Sequence, residues 1–148
     1  MTRPGKRSAR RAADLAYADT NLFVGLIAGP ANPLHEPALA IFRRVADGDL
    51  ALIVTPIVVA EIVYVVRSLM GWSHAVTAER IAGLLQADGL VLTEGPTLLL
   101  ALRLFGARSK LDFADAYLAA IALEVGPAVV ASFDRDLGGI EGVRRIAG

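Results

Sequence analysis

Asp19, Glu61, Asp115 and Asp134 each interrupt or border an apolar run. Asp19 ends Leu15-Ala16-Tyr17-Ala18 and is followed by Thr20-Asn21. Glu61 is the sole charge between Pro56 and Val66, and Asp115 opens an apolar stretch that continues to Leu123. Asp134 follows Ala128-Val129-Val130-Ala131-Ser132-Phe133. An unpaired carboxylate taken out of water is costly, so such groups pair with a cation, take up a proton or bind a metal. None of the four runs contains a Lys or Arg. Oxygen ligands without counter-ions suit a hard divalent cation, Mg²⁺ or Mn²⁺. Ions held in this way support phosphodiester hydrolysis, where they activate a water and stabilise charge on the phosphate.

Each acid also has an ordinary role open to it. Asp19-Thr20-Asn21 can cap a helix. Glu61 can snorkel to solvent. Asp112 and Asp115 can form a capping pair at a helix start, favoured by the helix dipole. Ser132-Phe133-Asp134-Arg135-Asp136 can be a polar turn. Each of these roles explains a single segment and leaves the other acids unaccounted for.

Short β-type runs alternate with longer helical patterns along the chain. Strands are expected over residues 15–18, 51–54, 90–92 and 128–132, with a short last strand at 143–146. Helices are expected over 21–28, 34–46, 56–70, 73–87, 94–107 and from Asp112 to Gly126-Pro127. Thr55-Pro56, Thr93 and Asp112 read as helix starts, and Gly48 and Gly71 as stops. The unbroken apolar character of 128–132 implies a strand buried on both faces. The alternation implies βαβ units and the α/β class: a three-layer α/β/α domain with a central parallel sheet of four or five strands. Such sheets bind ligands beyond the carboxyl ends of their strands. Asp19 and Asp134 fall just past strand ends, and Glu61 and Asp115 read as first-turn helical residues. All four can therefore face one edge.

With 148 residues, one domain is expected, residues 14–148. Residues 1–13 form a basic tail carrying Arg3, Lys6, Arg7, Arg10 and Arg11, expected to be solvated and disordered or to act as a phosphate-binding arm. The formal net charge is zero, so the chain is not globally basic. With no cysteine, a disulfide framework and a thiolate zinc site are excluded. No apolar run reaches the roughly 18 residues that span a bilayer, and the tail lacks the apolar centre of a secretory signal, so a cytoplasmic protein is expected. His35 and His74 read as solvated residues of surface helices. Glycine-rich nucleotide loops, His-Glu-x-x-His and Gly-x-Ser-x-Gly are all absent, which argues against dinucleotide binding, nucleotide hydrolysis, zinc peptidase and serine hydrolase activity.

Taken in order, four segments resemble the PIN-domain family, most closely its VapC-type toxin ribonucleases: Tyr17 to Asn21, Thr55 to Glu61, Leu111 to Ala120 and Ser132 to Leu137. The resemblance implies that Asp19, Glu61, Asp115 and Asp134 are the acidic metal-binding and catalytic set. It implies polar support from Asn21 and Ser132, with Thr in many relatives where Ser132 stands. Asp112 and Asp136 match positions often acidic in the family and are candidate further ligands. Arg108, Lys110 and Arg135, close to these segments, are candidate contacts to RNA phosphates. The basic extension departs from relatives that begin almost at the first strand.

The family further implies Mg²⁺- or Mn²⁺-dependent cleavage of single-stranded RNA and neutralisation by a small antitoxin. A hydrophobic content of 55% exceeds what one small soluble domain ordinarily buries. The helices at 34–46 and 56–70 are expected to carry the excess, covered by homodimerisation and by the antitoxin. Rival readings are a PIN-type nuclease outside any toxin–antitoxin pair and a non-catalytic RNA-binding module. A receiver-like phosphoacceptor domain fits poorly, because Leu92-Thr93 stands where its third strand would end in Asp.

Overall fold

The computed structural model describes residues 11–147. The first ten residues, which hold most of the expected basic tail, lie outside that range; Arg11 to Ala13 are exposed and lack regular structure. The chain then runs β1 (Asp14–Tyr17), α1 (Thr20–Ala28), α2 (His35–Ala46), β2 (Leu50–Val54), α3 (Pro56–Met70), α4 (His74–Leu85), β3 (Leu90–Leu92), α5 (Gly95–Ala107), α6 (Phe113–Glu124), β4 (Val129–Ala131), α7 (Arg135–Gly138) and β5 (Arg144–Ile146). Every strand pairing is parallel.

The β2–α3 unit is the centre of the fold. Leu50, Leu52 and Val54 alternate inward along β2, which pairs with β1 on one side and β3 on the other. Thr55 is extended and Pro56 takes the first helical position, where its fixed φ suits the helix and its missing N–H is no loss. Val59, Ile62, Val63 and Val66 then recur at helical spacing and are all buried. Gly71 ends α3 in the left-handed conformation, at φ 64°, and its N–H donates to the Arg67 carbonyl. Phe23, Val54, Ile62, Leu98, Leu102 and Phe105 fill the core around this unit. Each such side chain contributes about 1.5–3 kcal/mol on burial.

Several expectations are corrected. The strands do not form one sheet of four or five: β1-β2-β3 is one ladder and β4-β5 a second. The outer edge of β1 is left unpaired within its ladder. The 128–132 segment is not buried on both faces, since Ala131 is exposed and only Val130 is fully buried. Three-residue strands bury little, and the β4–β5 unit is fastened instead by Leu137, Ile140 and Val143 in the core and by two arginines. Arg108 donates to the Gly139 carbonyl, and Arg145 Nη1 donates to the Ser132 carbonyl at 2.9 Å. Thr93 does not cap α5; its hydroxyl donates to the Val54 carbonyl, and Glu94 takes the cap position.

The histidines are half-buried and partnered rather than solvated. His35 Nδ1 lies 2.9 Å from the Gly25 carbonyl, and His74 Nε2 lies 2.9 Å from that of Leu111 while its ring stacks on Phe105. Exposed apolar surface falls on α3 (Ile57, Tyr64, Leu69) and on Leu15, Tyr17, Leu118, Val125 and Phe133. Helix α2 contributes little of it, because Ala38 and Val45 face inward and its outer face is charged. Among the described residues no helix is long and apolar enough to cross a membrane.

Helices α1 and α2 meet at Gly25, where an added Cβ would lie 2.7 Å from the Leu34 carbonyl oxygen and 2.9 Å from Leu34 Cβ. Gly25→Ala should therefore destabilise the domain by about 1–3 kcal/mol through overpacking. A urea midpoint equal to that of the parent would refute the close approach.

Candidate acidic active site

The first acidic group is built where β1 passes into α1. Asp19 is extended, caps the helix, and accepts a hydrogen bond from Thr20 N at 2.7 Å. The dipole of α1 favours a negative charge at this end. Thr20 is buried, and its Oγ1 donates to Glu61 Oε2 at 2.7 Å. Glu61 lies in the second turn of α3, one turn later than expected, on the exposed side of a helix whose other side is core. Thr20 thus touches both carboxylates, its backbone N–H on Asp19 and its hydroxyl on Glu61.

The second group lies around the start of α6. Asp115 is half-buried in the first turn, and its carboxyl is raised above the usual carboxylate range. Burial is the largest cause, followed by the negative charges of Asp134 and Asp112 and a side-chain hydrogen bond with Asp134. Asp112 occupies the cap position, yet its side chain makes no capping bond. Ser132 Oγ accepts from Asp134 N at 3.0 Å, and Asp134 Oδ1 accepts from Asp136 N at 2.9 Å. The Ser132 hydroxyl and the Asp136 amide thereby fix the turn that presents Asp134.

Expecting buried carboxylates overstated their burial. Asp19 and Glu61 are exposed, and Asp115 and Asp134 are half-buried. Among the described residues no three acidic or histidine side chains converge closely enough to hold a cation. The acids stand as two groups, Asp19 with Glu61 and Asp112 with Asp115 and Asp134, on segments whose strands belong to separate ladders. The sole ion pair among the described residues, Arg11 to Asp14 at 4.0 Å, involves neither group. The donor chemistry is nonetheless that of a hard-cation site: carboxylate oxygens, hydroxyl and amide donors that each engage one oxygen, and no cationic side chain in reach.

The remaining candidates divide. Asn21 is exposed, and the hydroxyl that bonds Glu61 belongs to its neighbour Thr20. Arg108 is half-buried and bonded to the α7 turn, whereas Lys110, Arg135 and Asp136 are exposed. Sequence reasoning also missed Glu94, a further carboxylate just past the end of β3. Glu94 adopts the left-handed conformation at φ 56°, uncommon for a residue with a side chain. Tyr117 Oη donates to Glu94 Oε1 at 2.7 Å; burial, this bond and the Glu94 charge raise the phenol's pKa. Glu94-Gly95-Pro96 signals a helix start, but a bond spanning two helices leaves no mark in sequence.

A scan against protein-family models matches the PIN domain over residues 16–143, which takes in all four acidic segments. The chain belongs to the PIN-domain family. No curated protein and no solved structure matches it. PIN domains are generally nucleases, so the two acidic groups lie on a nuclease fold.

The charge on Asp115 has a testable cost. A carboxyl whose folded pKa is raised favours the protonated folded protein. Its stabilisation is full below the unfolded pKa, near 3.8, and is lost as pH rises through the folded value. In EDTA, Asp115→Asn should therefore melt above the parent at about pH 7, with the gap closing toward about pH 4. Calorimetry across that range is the check, and a gap independent of pH would exclude charge repulsion as its cause.

Proposed function

We propose that the protein is a Mg²⁺- or Mn²⁺-dependent endoribonuclease that cleaves single-stranded RNA, a VapC-type toxin in the PIN-domain family. The observation that carries this reading is the set Asp112, Asp115 and Asp134, without an ion-pair partner among the described residues, on a nuclease fold, with Asp19 and Glu61 bonded to the amide and the hydroxyl of Thr20 at the start of α1. Asp19, Glu61, Asp115 and Asp134 would hold the ion, with Asp112 and Asp136 as outer acids. When bound, the ion would supply Lewis-acid stabilisation of the phosphate and acidify a water.

The chain's own groups do the rest. Thr20 Oγ1 orients Glu61. Ser132 and the Asp136 amide hold Asp134 in place. Asp115 would serve as a ligand of the ion or as the base that takes a proton from the attacking water. Exposed Lys110 and Arg135, together with the basic N-terminal residues, would attract the RNA backbone without reading its sequence.

A continuous three-layer α/β/α arrangement belongs to the same proposal. Docking of β4 along the free edge of β1 would extend the sheet to four or five strands and bring the two acidic groups together. The exposed Leu15 and Tyr17 on β1 favour such a covering. Exposed Ile57, Val125 and Phe133 likewise favour a homodimer and a small antitoxin protein as partners. In light scattering at tens of micromolar, about the range where weak dimers form, the full chain should have the mass of a dimer; a monodisperse monomer would remove the dimer from this reading.

The decisive assay is cleavage of a mixed single-stranded RNA pool with Mn²⁺, with and without EDTA. Asp19→Asn, Glu61→Gln, Asp115→Asn and Asp134→Asn should each lower the rate by about 100-fold or more. Mn²⁺ should raise the melting temperature of the parent and raise it less in each variant. Undiminished cleavage in EDTA, or parental rates in Asp19→Asn, would sink the metal-nuclease reading.

A further inference from the structure

A cavity of about 430 Å³ opens between α3 and the start of α6. Its volume falls in the range of roughly 300–1,000 Å³ that accommodates small organic groups. On one wall is Ala60, the residue before Glu61; on the other is Ala114, the residue before Asp115. Asp112 of the second acidic group lines the cavity itself, and Glu61 and Asp115 follow its wall residues in sequence. We propose that it is a subsite for one unpaired base of the RNA substrate, a reading that rests on the ribonuclease assignment above.

The walls match a base in shape and chemistry. Tyr64 lines the mouth with 75% of its surface exposed, a large aromatic ring with little packed on it. It lies one turn beyond Glu61 on the same face of α3, where neighbouring Cβ atoms are about 5–6 Å apart. A phosphodiester held at the carboxylates thus has its adjoining base within reach of that ring. Phe105 and Phe113 also line the cavity and meet edge-to-face, with ring centroids 6.0 Å apart. His74, stacked on Phe105 at 4.1 Å, holds it from the other side.

Arg67 supplies the polar handle. Its Nε donates to the Trp72 carbonyl at 3.3 Å, and its guanidinium carbon lies 5.7 Å from the centre of the Phe105 ring. These contacts anchor the side chain while leaving further N–H donors for the cavity. A guanidinium fork matches the paired O6 and N7 acceptors of guanine better than the edge of any other base. Asp112, which lines the same cavity and forms no ion pair with a described cation, can accept from guanine's N–H groups. Aromatic faces bind any base by stacking, so Tyr64 provides affinity and Arg67 the preference.

Binding can be read without cleavage. Fluorescence anisotropy in EDTA at low ionic strength would compare labelled seven-nucleotide RNAs, intact or with one abasic position moved along the strand. One abasic position should weaken binding to the parent by about tenfold. Tyr64→Ala should weaken the intact RNA by the same factor, Tyr64→Phe should not, and all three proteins should bind that abasic RNA equally. Arg67→Met should lose any preference for guanine at that position. No RNA binding by the parent, indifference to every abasic position, or equal loss by Tyr64→Ala on intact and abasic RNA would overturn the subsite; the last would fit a surface for a protein partner. A parent that binds with this Tyr64 dependence but cuts no RNA in Mn²⁺ would overturn the nuclease reading and leave the subsite standing. Cleavage without Tyr64 dependence would do the reverse.

Discussion

Burial of Asp115, together with the negative charges of Asp134 and Asp112 beside it, is the constraint that the start of α6 must satisfy. Asp112, Asp115 and Asp134 lie near the start of α6, and none of them forms an ion pair with a described cation. Folding must hold them together without neutralising them. The means are local and uncharged: the Ser132 hydroxyl, the Asp136 amide and the helix start itself. The chain's apolar surplus answers the same constraint. With alanines 116, 119, 120 and 122 buried behind Asp115, α6 is anchored by packing and can tolerate repulsion at its tip.

The Asp19–Thr20–Glu61 group solves a milder version of the problem. Thr20 is buried and its hydroxyl is the donor, so only one oxygen of Glu61 is committed. The bond ties the start of α1 to α3. A hydroxyl, unlike an ammonium, holds a carboxylate in place without cancelling its charge. That is the property the proposed metal-binding role requires.

The readable parts of the sequence were those governed by local chemistry. Thr55-Pro56 and Gly71 bracket α3 as expected, because proline at a first helical position and glycine at a left-handed end act through their own backbones. The strand expected at 51–54 likewise falls on β2. The PIN-like order of the acids was legible too, since it depends on spacing along the chain. What was not legible depends on partners far away in sequence. Thr20 was passed over for Asn21, although only its position one residue earlier points it at Glu61. His74 looked solvated because nothing local announces Phe105 or the Leu111 carbonyl. The division of the strands into two ladders was hidden because alternation specifies that strands exist, not which edges meet.

The unpaired edge of β1 has a practical consequence. Asp14 to Tyr17 offers a row of backbone donors and acceptors flanked by exposed Leu15 and Tyr17, the pattern on which strands from other chains nucleate intermolecular sheets. Its protection is slight: the segment is short, and Asp14 and Asp19 put a negative charge at each end. During expression or concentration, the purified protein is therefore most prone to self-association into aggregates at this strand, the same one that delivers Asp19.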